Sequence, residues 1–226
     1  MSARSPFHPG EQALQARVGA RERSERAGRL MILDYMPEEH RAFFASLPFV
    51  LVGSVDDTGR PWASLLQGEP GFLASPDPRT LRVTAKPAAD DPLTKNLSAG
   101  APLGLLGIEF HTRRRNRMNG TVAQLDAQGF EVGVDQSFGN CPKYIQARAP
   151  VGLRAPSPGA SRREGALLSV RAAGLVARAD TFFIASAAPD AGVDVSHRGG
   201  RPGFVRITSD GSRTLLTSPD FSGNSL

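Results

Sequence analysis

The sequence contains little cysteine, and it lacks any long run of apolar residues. A single cysteine, Cys141, excludes an internal disulfide and suits a reducing compartment. No apolar run reaches the length of a membrane-spanning helix, and the N-terminus lacks the apolar centre of a signal peptide. These absences predict a cytoplasmic protein without a membrane segment.

Metal-binding and hydrolytic patterns are missing as well. The four histidines and the single cysteine show no metal-ligand spacing, so we predict no metal site. No acid–base pair and no nucleophilic triad is evident in the sequence. No residue is therefore assigned a catalytic role.

Lysine is scarce, and the net charge of +5 comes almost entirely from arginine. Lys86, Lys95 and Lys143 are the only lysines. A basic excess can neutralise nucleic-acid phosphates, but the aromatic residues lie inside β-like apolar runs and not among the basic ones. Nucleic-acid binding through Arg113–Arg117 and the arginines of residues 161–178 is kept as a minority hypothesis.

Glycine and proline are frequent, with 24 and 18 residues, as is typical of a protein made of strands and turns. Short apolar runs between Phe49 and Gln136 predict about six strands, with Asn119-Gly120 as one of the turns. We expect a mainly β fold, a small antiparallel barrel with flanking helices, because closure removes exposed strand edges. Residues 137–145 are expected to lead out of this barrel into a helical segment.

One stretch of the chain occurs twice. Residues 62–73 (WASLLQGEPGFL) align without a gap with residues 194–205 (DVSHRGGRPGFV). The repeat predicts two copies of one β unit. The predicted domains are an N-terminal arm and helix (1–36), a first copy (37–150), a linker rich in Pro, Ser and Gly (151–163), and the start of a second copy (164–226). The second copy lacks strands that the first contains, so we expect it to be incomplete.

Positive charge increases from the first copy to the second. Where the first copy has Leu65, Leu66 and Glu69, the second has His197, Arg198 and Arg201. Arginines pair with phosphate or carboxylate oxygens through two parallel hydrogen bonds, and glycines let a backbone approach a ligand closely. The second copy is thus a candidate anion site, with a solvated hairpin turn as the alternative. The spacing matches neither a Walker loop nor Gly-x-Gly-x-x-Gly.

Several motifs together resemble a known family. The segments FVLVGSVDDTGRPWASLL and PRTLRVT, followed by a strand ending in RMNG, resemble the pyridoxamine 5′-phosphate oxidase-like, FMN-binding split barrel. The order of SFGNCPKYI and SHRGGRPGFVR is similar to a two-copy bacterial branch of that family. The resemblance extends from Pro37 to Leu226 and implies an internally duplicated FMN-binding split barrel whose second copy is incomplete.

The resemblance also implies where the cofactor binds. In this family FMN lies at an interface between two barrels, which here implies the two copies in one chain or a homodimer. Side chains at strand ends hold the phosphate. The implied cofactor residues are Ser196, His197, Arg198, Gly199, Phe204, Val205 and Arg206 of the second copy, and Arg115, Arg117, Lys143 and Tyr144 of the first.

The implied activity is that of an FMN-dependent oxidoreductase acting on an unknown small-molecule substrate or electron donor. A flavin- or haem-binding module without turnover is the alternative, and His197 could contact either cofactor or be a hydrogen-bonded turn histidine. Side chains alternate along a strand, so one face of the predicted strand presents Arg113, Arg115 and Arg117. These arginines form either a convergent cluster or the charged outer face of an edge strand. Cys141 is placed at a helix N-terminus, where a thiolate would be stabilised, or is an inert half-buried cysteine.

Overall fold

The N-terminal region contains two helices where one was predicted. The computed structural model describes residues 5–139, 141–149, 151, 162–189 and 191–221. Helix α1 (Pro9–Arg17) ends before Gly19, whose φ of 67° lies in the left-handed region that favours glycine. Helix α2 (Arg21–Met31) follows, and Phe7 packs on it at Gly28. The two helices therefore form a hairpin, which we call the N-terminal hairpin.

Seven antiparallel strands form the main sheet. Helix α3 (Glu38–Ser46) precedes the first strand, and the short helix α4 (Leu93–Asn96) lies between the fourth and the fifth. The strands are β1 (Phe49–Val55), β2 (Pro61–Gln67), β3 (Leu73–Asp77), β4 (Thr80–Val83), β5 (Pro102–Glu109), β6 (Arg114–Leu125) and β7 (Phe130–Gly139). Their order in the sheet is β2-β1-β5-β6-β7-β4-β3.

The sheet curves around one apolar core. Buried side chains from all seven strands meet Phe43 and Phe44 of α3 in a single cluster. Alternate residues of the strands point into this core, as in Leu81 and Val83 of β4, because side chains alternate between the two faces of a strand. The predicted mainly β fold with few helices is confirmed.

Two local predictions are wrong. Asn119 and Gly120 lie inside β6, at a shift in its register with β7, and the turn follows at Asp126–Gly129 instead. Residues 141–149 contain no helix, so Cys141 is not at a helix N-terminus, and its side chain is exposed.

The second half of the chain packs on the outside of this sheet through one of its strand hairpins. It contains helix α5 (Val170–Arg178), the hairpin of β8 (Thr181–Ala188) with β9 (Gly192–Gly199), and the hairpin of β10 (Arg206–Ser209) with β11 (Thr214–Thr217). Strand β9 contacts β1, β5 and β6, whereas β8 contacts β1 and β2. A second apolar cluster, which includes Leu106, Ile108 and Val195, fills this interface.

Two glycines allow the close approach of β9. A Cβ at Gly104 of β5 would lie 2.6 Å from the carbonyl oxygen of Val193, and a Cβ at Gly53 of β1 would lie 2.6 Å from Val195 Cγ2. Neither contact is sterically allowed, so only glycine fits at these two positions as long as β9 stays where the structure places it.

The second half repeats the geometry of the first. Helices α3 and α5 both have nine residues, and the number of residues along the chain from α3 to α5 equals the number from the β1–β2 pair to the β8–β9 pair. At matching positions of these pairs, Phe49 lies opposite Gln67 and Thr181 lies opposite Gly199. In both halves a phenylalanine side chain packs against a glycine that follows the strand pair: Phe72 packs against Gly68, and Phe204 packs against Gly200. These correspondences support the predicted duplication, which we keep as a proposal. The predicted linker lies mostly outside the described residues.

The two halves differ in how well their apolar residues are covered. Phe43 and Leu81 of the first half are 4% and 0% exposed, whereas Leu175 and Leu215, at matching places in α5 and β11, are 66% and 46% exposed. Among the described residues, the second half thus has no enclosed core of its own. None of the described helices combines the length and apolarity needed to cross a bilayer.

Candidate functional site

The predicted arginines of β6 meet the polar face of β9. Arg115 and Arg117 alternate on one face of β6, and Asp194 and Ser196 alternate on β9. The Arg117 guanidinium donates to Asp194 Oδ2 at 2.7 Å and to Ser196 Oγ at 2.8 Å, and Arg117 is only 4% exposed. We call Arg115, Arg117, Asp194, Ser196, His197 and Arg198 the β6–β9 cluster.

His197 is a deeply buried member of the predicted cofactor residues, with 2% of its surface exposed. Burial, together with repulsion from Arg115 and Arg198, lowers its pKa to about 4, so the imidazole is neutral at pH 7. Its Nδ1 lies 3.2 Å from Arg115 Nη1. Because a guanidinium can only donate, we assign Nδ1 as the acceptor, which leaves the proton on Nε2.

The cluster carries more positive than negative charge. Burial lowers the pKa of Arg115 to about 10, and the neighbouring Arg117 contributes to the shift. Burial and the same neighbour lower the pKa of Arg198, with Asp220 and Asp194 opposing the shift. Because burial and neighbouring positive charge disfavour the charged form of both arginines, a bound anion would stabilise that form.

Three buried donors in the cluster lack an acceptor. Arg115 Nε, Arg117 Nε and His197 Nε2 have no hydrogen-bond partner among the described residues, and each is inaccessible to solvent. An unpaired buried donor typically costs about 1–3 kcal/mol. All three are N–H groups, and they would be satisfied by additional acceptor oxygens such as those of a phosphate group.

A comparison with known protein families identifies the family of the chain. Residues 36–156, more than half of the chain, match the family model for pyridoxamine 5′-phosphate oxidase. The chain belongs to the pyridoxamine 5′-phosphate oxidase family. Proteins of this family are flavin-binding split barrels, often oxidoreductases, and FMN is their common flavin. No curated protein matches the chain.

The part that matches the pyridoxamine 5′-phosphate oxidase family contains β1–β7 and ends before α5. Arg115 and Arg117 therefore lie inside the matched region, whereas the β9 residues of the cluster lie outside it. The site combines a strand of the family barrel with a strand of the second half.

Two further predicted residues of this family member lie next to the cluster. Gly199 ends β9, and a Cβ there would overlap the carbonyl oxygen of Tyr144. Tyr144 has a φ of 67° and stacks on Phe221, with ring centroids 4.8 Å apart. Gly199 thus allows the segment after β7 to pass close to β9.

The other predicted cofactor residues make different contacts. Phe204 stacks on Phe182 at 5.7 Å, Val205 is buried, and Arg206 is exposed at the start of β10, where it pairs with Thr217. Lys143 is exposed in the segment after β7. Nothing in their positions tests a role in cofactor binding, so their assignment stays a prediction. Within the described ranges, no three His, Cys, Asp or Glu side chains group as metal ligands would.

A cleft of about 760 Å³ opens beside the cluster. Its sides are the N-terminal hairpin with the residues before it, strands β6 and β7, and the tip of the β8–β9 hairpin. Arg117 and Asp194 line this cleft and also belong to the cluster, so the two are continuous.

Sequence reasoning missed Asp194, Asn119 and Phe138. Asp194 lies two residues before Ser196, so strand alternation alone could have placed it on the same face. Asn119 continues the Arg115–Arg117 row in the same way, but it was assigned to a turn. Phe138 belongs to a quoted motif, but its buried strand pattern predicts packing. Only the structure shows that the Arg117 guanidinium lies 5.7 Å from its ring.

Proposed function

We propose that this protein binds FMN, that the β6–β9 cluster holds the flavin phosphate, and that the protein is an oxidoreductase acting on a small molecule. The supporting observation is the group of three buried N–H donors, on Arg115, Arg117 and His197, without acceptors. Membership in the pyridoxamine 5′-phosphate oxidase family supports flavin as the ligand that brings those acceptors.

The residues of the cluster fit a phosphate group. A dianion needs several charge-assisted donors, and arginines on two different strands can approach it from two sides. His197 would donate from Nε2 without adding charge, because it is neutral at pH 7. Arg117 is already neutralised by Asp194, so Arg115 and Arg198 supply the net charge.

Bound flavin would supply the redox chemistry, while the protein positions it and sets the electrostatics around it. No residue of the chain is assigned an acid or base role. The substrate or electron donor, a cytoplasmic location and a homodimer stay predictions. Nucleic-acid binding is less favoured than FMN because Arg115 and Arg117 both contact β9, and Arg117 is buried.

Titration with FMN tests the proposal directly. Purified protein should quench FMN fluorescence on binding, and Arg198→Ala should weaken FMN binding about ten- to a hundredfold, because a charge-assisted contact is lost. Glu69→Ala, at the turn of the first half, is the matched control. Arg206→Ala shows whether the exposed arginine of β10 contributes. Equal, small losses for all three variants would contradict the assignment of the cluster.

Turnover requires a separate measurement. We expect NADH or NADPH to reduce protein-bound FMN faster than free FMN under the same conditions. Tight binding with reduction no faster than that of free FMN would support a non-catalytic flavin-binding module instead. Haem titration under the same conditions tests whether the cluster prefers that cofactor.

A further inference from the structure

We propose that the cleft beside the β6–β9 cluster binds the uncharged ring system of the flavin, with the N-terminal hairpin as its outer wall. This inference rests on the proposed function, because it assumes that the phosphate of the same ligand binds at the cluster. It assigns a role to residues that neither the sequence motifs nor the family match include, notably Phe7.

The walls of the cleft suit a flat, apolar surface. Phe7 and Ile32 line one side, and Phe138 and Val193 line the other. Aromatic and aliphatic side chains dominate ligand pockets of this kind, with a few polar groups that fix the orientation. The volume of about 760 Å³ lies within the range of small-molecule and cofactor sites.

The polar groups of the cleft favour an uncharged ligand. Arg117 is paired with Asp194, so its charge is compensated at the point where it lines the cleft. Asn119 donates from Nδ2 to Gln136 at 3.3 Å, but its Oδ1 is buried and has no partner among the described residues. A ring with an N–H group would satisfy that oxygen, whereas a second phosphate would be repelled by it. The oxidised flavin ring carries such a group and no charge.

The cluster and the cleft are arranged along one strand. Arg115, Arg117 and Asn119 occupy alternate positions of β6, and each such step advances about 6.6 Å along a strand. A phosphate beside Arg115 and a ring beside Asn119 would thus lie at opposite ends of an elongated ligand. Arg117 lies between them, at the level of the ribityl chain that would connect the phosphate to the ring.

The outer wall is held in place by a specific contact. The Phe7 ring occupies the space above Gly28 of α2, where a Cβ would lie 2.6 Å from Phe7 Cε2. Ser5 also donates to Glu25 of the same helix at 2.6 Å. A larger residue at position 28 should therefore displace Phe7, and with it the residues that close the cleft.

The test compares FMN with riboflavin, which has the same ring but no phosphate. Phe7→Ala and Gly28→Val act on the two sides of one contact, so if one variant fails to fold the other still tests the wall. Each should weaken both ligands by a similar factor, about tenfold, and should make bound flavin more accessible to iodide quenching. Arg198→Ala should weaken FMN alone. Leu30→Ala, an 81% exposed position of the same helix, is the control.

The outcomes separate this inference from the proposed function. If wild-type protein binds FMN and the Phe7 and Gly28 variants change neither affinity nor quenching, the cleft assignment is overturned and the proposed function stands. If riboflavin binds as tightly as FMN and only the cleft variants matter, the cleft is supported and the phosphate site is overturned. If neither ligand binds to the wild type, both proposals fail.

Discussion

At the scale of single residues, His197 links the chemistry of the site to the stability of the protein. Burial opposes the protonation of its imidazole, and the positive charges of Arg115 and Arg198 oppose it further. The pKa in the folded state is about 4, against an ordinary value of 6.5. A histidine shifted in this direction stabilises the fold while it is neutral, and the stabilisation is lost as pH falls.

The expected pH dependence follows from these two values. The contribution of His197 is complete above pH 6.5 and is lost between pH 6.5 and about 4, by roughly 3 kcal/mol over the whole window. His197→Gln keeps an acceptor for Arg115 but cannot titrate. Urea unfolding in phosphate-free buffer should show a steeper loss of stability in wild type than in this variant. Parallel curves from pH 7 to pH 4 would contradict the buried, neutral histidine.

At the scale of elements, the position of β9 depends on glycine positions in the sheet beneath it, where no side chain projects toward β9. Gly104 lies under the backbone of Val193 and Asp194, so β9 approaches β5 more closely than any side chain would allow. The same approach brings Asp194 and Ser196 within hydrogen-bond distance of Arg117. The geometry of the cluster is therefore set by a residue that does not belong to it.

Gly104→Ala should displace β9, because the new Cβ would overlap backbone atoms that cannot rotate away. We expect a loss of about 1–3 kcal/mol in the free energy of unfolding, together with weaker FMN binding. Gly133→Ala is the matched control, since a Cβ at that strand position would meet its nearest neighbour at 3.7 Å. Denaturant unfolding and FMN titration of both variants check the prediction. A similar, small effect of the two changes would show that β9 is not constrained by Gly104.

At the scale of the whole molecule, the two halves contribute unequally to stability. The first half encloses a core, whereas the corresponding apolar positions of α5 and β11 are exposed. The free energy of unfolding should therefore come from the first sheet and from the interface that it forms with β8 and β9. The second half contributes site residues more than it contributes core.

Leu81 and Leu215 test this inequality because they occupy matching strands, with 0% and 46% exposure. Leu81→Ala should cost about 2–5 kcal/mol, since it leaves a cavity in the core. Leu215→Ala should cost under about 1 kcal/mol, as is usual for surface positions. Thermal and urea unfolding of the two variants give the comparison. A large loss at Leu215 would mean that this residue is covered in solution.

The sequence by itself determined the β character of the chain, the motifs of its family and most of the strands. These features depend on local patterns, the alternation of apolar residues and the placement of turn residues, which are visible without tertiary structure. It also determined that Arg115 and Arg117 share a face, because strand periodicity requires this. The second of the two repeated stretches has histidine and arginine where the first has leucine and glutamate, and this difference indicated a candidate site in β9.

Only the tertiary structure decided which of these residues meet. Arg117 and Asp194 are far apart in the chain, and their ion pair exists because Gly104 and Gly53 let β9 lie on the sheet. Asn119-Gly120 is a turn signal by its local preference, yet pairing with β5 and β7 on both sides keeps it in a strand. Phe7 lines the cleft for the same kind of reason, because it contacts Gly28, and no local pattern encodes that contact. Local preferences are weak beside the packing and hydrogen bonding of a whole sheet, and the site is built from contacts of that second kind.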